Sequence, residues 1–314
     1  MDIDLAKWNE QVSTEEIETN LQKLKLDLGK STAPYAKKLL KYLKKIKPSN
    51  LLWRDQEASQ VISSNPEIIL RLSVEVEDEY KYYMEPVKHM EGTTPLHIKD
   101  VCNGFMMSYN NTMYEEVPIE LSHGSWDELE EDLVGIASGI INTIGSVWRN
   151  PAFGEKFAKS QNKGAYVMDI IVPVVKASLK KLPIKMEQQS IASTDQRGNT
   201  GKHPDIMFMV KHGRKIYELM FVKCSCLFCD KDKEENDWVK LWRQMNDGMY
   251  WVRKGCKPKK DEFGIIGIQV AGQKLHLYIL IRDGDGVDKL FRLYCGLHGD
   301  KEDSLTVSSP LYDN

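Results

Sequence analysis

Apolar residues recur at helical spacing early in the chain and again between residues 126 and 182, then gather into short continuous runs from residue 206 onward. Thr14-Glu15-Glu16-Ile17 opens an amphipathic stretch that ends near Gly29, and Tyr35 to Ile46 forms a second, very basic one stopped by Pro48. Pro66 to Val74 reads as a third helix. Glu91 to Val117 is irregular, broken by Gly92, Pro95, Gly104, Asn110 and Asn111, and is the candidate boundary region. Ser125-x-x-Glu128 is a capping box before an apolar run, so Trp126 to Trp148 should be helical until Asn150-Pro151 ends it. Ala165 to Leu182 carries Val167, Ile170, Ile171, Val174, Val175 and Leu179 at helical spacing, with Pro173 expected to kink it.

Strand-like runs follow at Ile206–Val210, Ile216–Val222, Ile265–Val270, Leu275–Ile281 and Leu290–Tyr294, with a helical run, Glu234 to Val252, between the second and third. Helices alternating with strands in this way predict an α/β (α+β) fold, a mixed sheet with flanking helices. The division expected is a mainly helical N-terminal region, 1–117, of unassigned role, followed by a domain over 118–314.

Composition changes this picture little. The chain has 314 residues, long enough for two ordinary domains, with 41% hydrophobic and 28% charged residues. A net charge of −3 excludes a global basic field, so any nucleic-acid surface must be local. The uncharged stretch Leu133–Trp148 is shorter than the ~20 residues a membrane helix needs, and no membrane partner is expected. Met1 to Asn9 is acidic and polar, so no signal peptide is expected. Six unevenly spaced cysteines mark no secreted disulfide framework, and the expected address is intracellular, nuclear or cytoplasmic.

The candidate chemistry lies around the first hairpin. Lys202-His203-Pro204-Asp205 precedes one strand, and Glu218 and Lys223 lie on the next. Metal-dependent phosphodiester cleavage needs hard oxygen ligands and a group that positions water, and two adjacent strands can present both. Register decides who meets whom. A two-residue His212-Gly213 loop puts Glu218 on the face of Asp205, whereas a three-residue loop or one bulge puts Lys223 and Ser225 there instead. Both registers remain open at this level.

Several runs carry a resemblance. Gly201–Phe208, Tyr217–Val222, Val239–Arg243, Asn246–Val252, Ile265–Ala271 and Leu275–Asp283 resemble the PD-(D/E)xK nuclease superfamily, in particular a family expanded in arbuscular mycorrhizal fungi. The likeness covers a motif-bearing core at about 160–298, and a looser analogy extends to nuclease modules of crinkler-type effectors. It implies a restriction-endonuclease-like fold, with Asp205, Glu218, Lys223 and Glu187 as catalytic candidates and Asp205 and Glu218 as metal ligands. The implied cofactor is Mg²⁺ or Mn²⁺ if the protein is active, and none otherwise. The resemblance also implies acids where Lys163 and Lys223 stand, and an acid-x-lysine triplet that neither Phe221-Val222-Lys223 nor Lys223-Cys224-Ser225 supplies. A lysine there repels Mg²⁺ but could grip a phosphate.

The function expected is therefore a degenerate nuclease-like protein that binds nucleic acid, DNA favoured over RNA, with weak or absent cleavage. Lys163, Lys240 and Arg243 are the expected phosphate contacts. Two alternatives stand beside it: an active nuclease with ligands migrated to Glu187 or Glu218, and a protein-interaction module or effector using the fold as scaffold, with a partner on the N-terminal helical region.

Other signals divide between function and packing. Cys224-x-Cys226-x-x-Cys229 could hold zinc only if Cys256, Cys295, His203 or His212 completed the set, and buried small cysteines are the plainer account. Lys37, Lys38, Lys41, Lys44, Lys45 and Lys47 could form a nucleic-acid patch, an import signal or a surface for an acidic partner, or simply a solvated face over buried Tyr35, Leu39, Leu40, Leu43 and Ile46. Trp238, Trp242, Tyr250 and Trp251 could stack on bases, although packing against a sheet is the commoner use of such a stripe. Asp283-Gly284-Asp285-Gly286 reads as a hairpin turn.

Overall fold

The computed structural model describes residues 13–52, 54–63, 100, 128–148, 163–179, 184–187, 204–212, 214–225, 229–255, 263–271, 274–282 and 286–297. The run Pro66–Val74, the stretch Glu91–Val117 apart from residue 100, the boundary at 117/118 and the turn at Asp283–Asp285 lie outside the described residues. The described part is a mixed α/β structure built on one seven-stranded sheet, ordered β1-β7-β6-β5-β4-β3-β2.

The strands are β1 (Val61–Ser63), β2 (Ile184–Glu187), β3 (Ile206–His212), β4 (Lys215–Cys224), β5 (Gly264–Ala271), β6 (Lys274–Arg282) and β7 (Asp288–Leu297). Antiparallel pairing runs from β2 through β3 to β4 and from β5 through β6 to β7. The two antiparallel blocks meet at β4 and β5, which are parallel. A parallel junction needs a crossover, and the 25-residue helix Lys231–Gly255 supplies it.

The helices are α1 (Thr14–Lys30), α2 (Pro34–Leu43), α3 (Glu128–Trp148), α4 (Lys163–Tyr166), α5 (Val172–Ser178) and α6 (Lys231–Gly255). Ser13 caps α1, its side chain accepting the Glu16 amide at 3.1 Å. Between α4 and α5 the backbone makes one π turn, Val167–Ile171, ending two residues before Pro173. The proline lacks the amide that an interior helix position requires, and the wider turn accommodates that loss without ending the helix.

Alternation along the strands divides the core into two layers. Met207, Met209, Tyr217, Phe221, Ile265, Tyr278 and Leu280 pack against Val239, Leu241, Trp242, Met245, Met249 and Val252 of α6. On the other face Ile206, Phe208, Met220 and Val222 pack against Tyr166, Val167, Ile171, Val172 and Val175. That same face continues over β6 and β7, where Ile279, Ile281 and Phe291 share a cluster with Leu21, Leu24, Leu28, Leu39 and Leu43 of α1 and α2. The N-terminal helices thus spend their apolar faces on the sheet and turn Lys37, Lys41, Lys44 and Lys45 to solvent. Lys289 of β7 is fully enclosed, its ammonium 4.2 Å from the centroid of the Tyr35 ring on α2.

Helix α6 lies unusually close to β4. A Cβ at Gly248 would sit 2.8 Å from the ring of the buried Phe221 and 3.3 Å from the carbonyl oxygen of Glu218. Glycine is required there by space. Trp242 is 1% exposed and Trp238 stacks on Tyr278 at 4.2 Å between centroids, so these two tryptophans serve the core.

Candidate functional site: a carboxylate held by two lysines

The register question is decided by one residue. His212 pairs with Lys215, so two residues join the strands, one position beyond the loop read from sequence. The pairing then shifts between Phe208 and Met209, where Leu219 is the extra residue of a bulge on β4. Beyond the bulge Met207 faces Phe221 and Ile206 faces Val222, which brings Lys223 opposite Asp205.

The Asp205 carboxylate is held on both oxygens. Its Oδ2 accepts the backbone amide of Cys224 at 2.7 Å. Its Oδ1 lies 2.7 Å from Lys163 Nζ at the start of α4 and 3.5 Å from Lys223 Nζ. Lys223 is 7% exposed, and burial pulls its pKa below 10.5 although Asp205 pushes the other way. Lys163 and Lys240 also lower it and Asp237 raises it, so all four charged groups lie within electrostatic reach of Lys223.

A second carboxylate stands beside the first. Asp237, in the second turn of α6, accepts the Ser225 hydroxyl at 2.7 Å and lies 3.4 Å from Lys240 Nζ. Among the described residues, three ammonium groups, those of Lys163, Lys223 and Lys240, stand with the carboxylates of Asp205 and Asp237. The row continues across the sheet. Lys223 is in register with Gln269, and Gln269 with His276. Gln269 donates its amide to the Glu234 carbonyl at 2.7 Å, and His276 Nε2 lies 3.7 Å from the Glu234 carboxylate. Asp205, Lys223, Gln269 and His276 form a polar belt across β3, β4, β5 and β6 beneath the N-terminal half of α6. The belt lies at the carboxyl ends of the parallel strands β4 and β5, the usual edge for ligands in α/β sheets.

The remaining candidates are placed as follows. Glu218 pairs with Met209 and is 1% exposed, about 13 Å along the sheet from Asp205 at strand rise, so the two acids do not converge. Glu187 stands in register with Met207, two positions along β3 from Asp205, and its side chain is outside the described residues. Arg243 is 4% exposed and belongs to the interior, not to a surface that nucleic acid could reach. Lys163 and Lys240 are partly exposed and flank the site. Cys224 is fully buried among Val222, Met220 and Tyr166, and burial, with the Asp205 charge second, pushes its thiol up to about 12. Its enclosure among apolar side chains fits the packing account of this cysteine. Burial and then Cys224 push the Tyr166 hydroxyl likewise to about 12. Cys226 lies outside the described residues.

Among the described residues the donor set at Asp205 does not fit Mg²⁺ or Mn²⁺. Such an ion takes several oxygen ligands at once, and among the described residues the Asp205 carboxylate is divided between two ammonium groups and an amide while Asp237 is engaged by Ser225 and Lys240. Ser225, Asp237 and Gln269 were not among the sequence candidates. The sequence signals Ser225 only as a residue that a bulge would turn toward Asp205, and Asp237 only by its i,i+3 pair with Lys240, which any solvated helix face can carry. No family model, no curated protein and no solved structure matches the chain. No helix among the described residues is long and apolar enough to cross a membrane.

Proposed function

We propose that the chain is a degenerate nuclease-like protein of the PD-(D/E)xK kind that binds nucleic acid and has weak or no phosphodiester cleavage. Its support is the hairpin that sets the Pro204-Asp205 strand against the Lys223 strand, with helices on both faces of the sheet. That arrangement is compatible with a restriction-endonuclease-like fold.

The carrying observation is the pair of lysines on Asp205. A divalent ion bound to that carboxylate would stand roughly 4 Å from an ammonium group, a repulsion of about 8 kcal/mol at an effective dielectric of about 20. Micromolar binding amounts to about 8 kcal/mol, so a single lysine cancels it. The lysines leave a site that attracts anions. Lys163 and Lys240 reach solvent and can each hold a backbone phosphate, while Lys223 stays inside as their electrostatic support.

The test is titration of Mg²⁺ and Mn²⁺ against a panel of labelled single- and double-stranded DNA and RNA. Binding that needs no divalent metal, with no cleavage, is the expected result. Robust metal-dependent cleavage that disappears in Asp205→Ala would sink the reading and favour ligands elsewhere.

A further inference from the structure

The far end of β4 carries a second cationic surface built quite differently. The hairpin tip presents Lys211, Arg214 and Lys215, all exposed, and Ile216 is 36% exposed beside them. The last turns of α6 lie against this tip. Trp251 donates its indole N–H to the Ile216 carbonyl at 3.1 Å, and a Cβ on Gly255 would strike the Tyr217 ring at 2.7 Å. Tyr250 is 45% exposed on the same turn, and Lys254 Nζ lies 5.8 Å from the centroid of the Trp251 ring.

Among the described residues, the exposed charged side chains of these two segments are all basic. Residues 211–217 read Lys-His-Gly-Arg-Lys-Ile-Tyr and residues 248–255 read Gly-Met-Tyr-Trp-Val-Arg-Lys-Gly, with no acid in either. The sequence stays basic beyond the helix, with Lys257, Lys259 and Lys260 before the first acid, Asp261. In a chain of net charge −3 this concentration is local and strongly asymmetric. The tip lies nine residues from Cys224 along β4, about 30 Å from the Asp205 site.

We infer that the β3–β4 hairpin tip and the C-terminal turns of α6 form a binding surface for single-stranded nucleic acid. The basic side chains track successive phosphates, and the exposed Tyr250 ring beside Trp251 receives a base by stacking. A duplex shields its base faces and would use the charges alone. An anionic membrane would require projecting apolar side chains, and here the indole N–H is tied to the hairpin, while among the described residues the large apolar side chains exposed on this surface are Ile216 and Tyr250. The inference stands apart from the phosphate-binding role proposed at Asp205, since the two surfaces occupy opposite ends of one strand.

Fluorescence anisotropy of the full chain on labelled oligothymidylate, on a duplex of equal length and on heparin tests it, with phosphatidylserine vesicles as a fourth probe. Arg214→Glu/Lys215→Glu should weaken oligothymidylate binding at least tenfold and flatten its salt dependence by about 0.7 in log–log slope for each phosphate no longer neutralised. Tyr250→Ala should weaken oligothymidylate about tenfold while leaving heparin binding unchanged. All of these side chains are exposed, and matching circular-dichroism melts would confirm intact folding. Three results would each overturn the proposal: unchanged oligothymidylate affinity in the charge-reversed variant, equal loss of heparin and oligothymidylate binding in Tyr250→Ala, or preference for vesicles over every nucleic acid. The variant Lys163→Glu/Lys240→Glu, at the two partly exposed lysines of the other site, separates the two surfaces. If it abolishes binding and the tip variants do not, the tip proposal fails and the Asp205 reading survives. The reverse pattern supports the tip and removes phosphate binding from Asp205.

Discussion

The two ends of β4 carry the same kind of charge and use it in opposite ways. At the Cys224 end, Lys223 is enclosed and its ammonium is committed to Asp205, with Asp237 and Lys240 alongside. At the Lys215 end the cations stand in water beside an exposed aromatic ring. Buried charge must be matched inside the protein, so it fixes structure and is expensive to disturb. Exposed charge contributes little to stability and is available to a partner. Perturbations at the two ends should therefore differ in kind, with folding affected at one and binding at the other.

The largest expected effect is at the enclosed end. Lys223→Glu places a carboxylate against Asp205, and without metal it should cost about 3–5 kcal/mol in urea unfolding. Mn²⁺ should recover part of that loss and raise the melting temperature, more strongly when Lys163→Glu is added. Unchanged metal affinity in both variants would mean that Lys163 and Lys223 do not stand where a metal could bind. Asp205→Ala follows at about 3 kcal/mol, because it strands the buried Lys223 ammonium and frees the Cys224 amide. A midpoint shift close to zero would break the contrast between the two ends.

Between the ends, Gly248→Val should cost about 1–3 kcal/mol, since its side chain would meet the Phe221 ring, which is fully buried. A neutral result would show that α6 can lift off β4, and that the spacing under the polar belt is not fixed by this contact.

Two pH effects sharpen the picture further. Lys223 titrates below 10.5 in the folded chain, so between that lowered value and 10.5 the unfolded state binds more protons and stability rises with pH. Lys223→Met should remove this rise from the difference between wild type and variant. His276 is lowered below 6.5 by burial, with Arg292 and Lys274 adding to burial and Glu234 opposing it. Stability should fall as pH drops from 6.5 through the folded value of His276, because the unfolded chain takes up the proton first. An acid limb of equal steepness in His276→Asn would remove the assignment. The smallest effect belongs to the open end, where Arg214→Glu/Lys215→Glu should change stability by less than about 0.5 kcal/mol while altering binding.

Much of the fold could be read from the chain because it is local. The apolar runs at Ile206, Ile216, Ile265, Leu275 and Leu290 are strands in the structure, and the helical run from Glu234 is α6. The site was harder, for two physical reasons. Which residue faces Asp205 depends on a single inserted residue, Leu219, and apolar periodicity does not reveal a one-residue bulge. The belt through Gln269 and His276 depends on β4 pairing with a strand on the far side of a long helix, a register that no local pattern encodes. The packing of Leu21, Leu24 and Leu28 on Ile279, Ile281 and Phe291 is equally remote in sequence, so the amphipathic N-terminal helices gave no hint of where their apolar faces would go.

The pairing of β1 with β7 has a consequence during synthesis. Val61 sits beside Asp288 at one edge of the sheet, so this early strand must await one made 227 residues later. At roughly 5–20 residues per second, the ribosome takes on the order of 10–45 s to cover that interval. Throughout that time the Val61–Ser63 backbone lacks its partner, and the apolar faces of α1 and α2 have no sheet to cover them. A nascent chain of this topology presents its first helices to chaperones well before it can bury them.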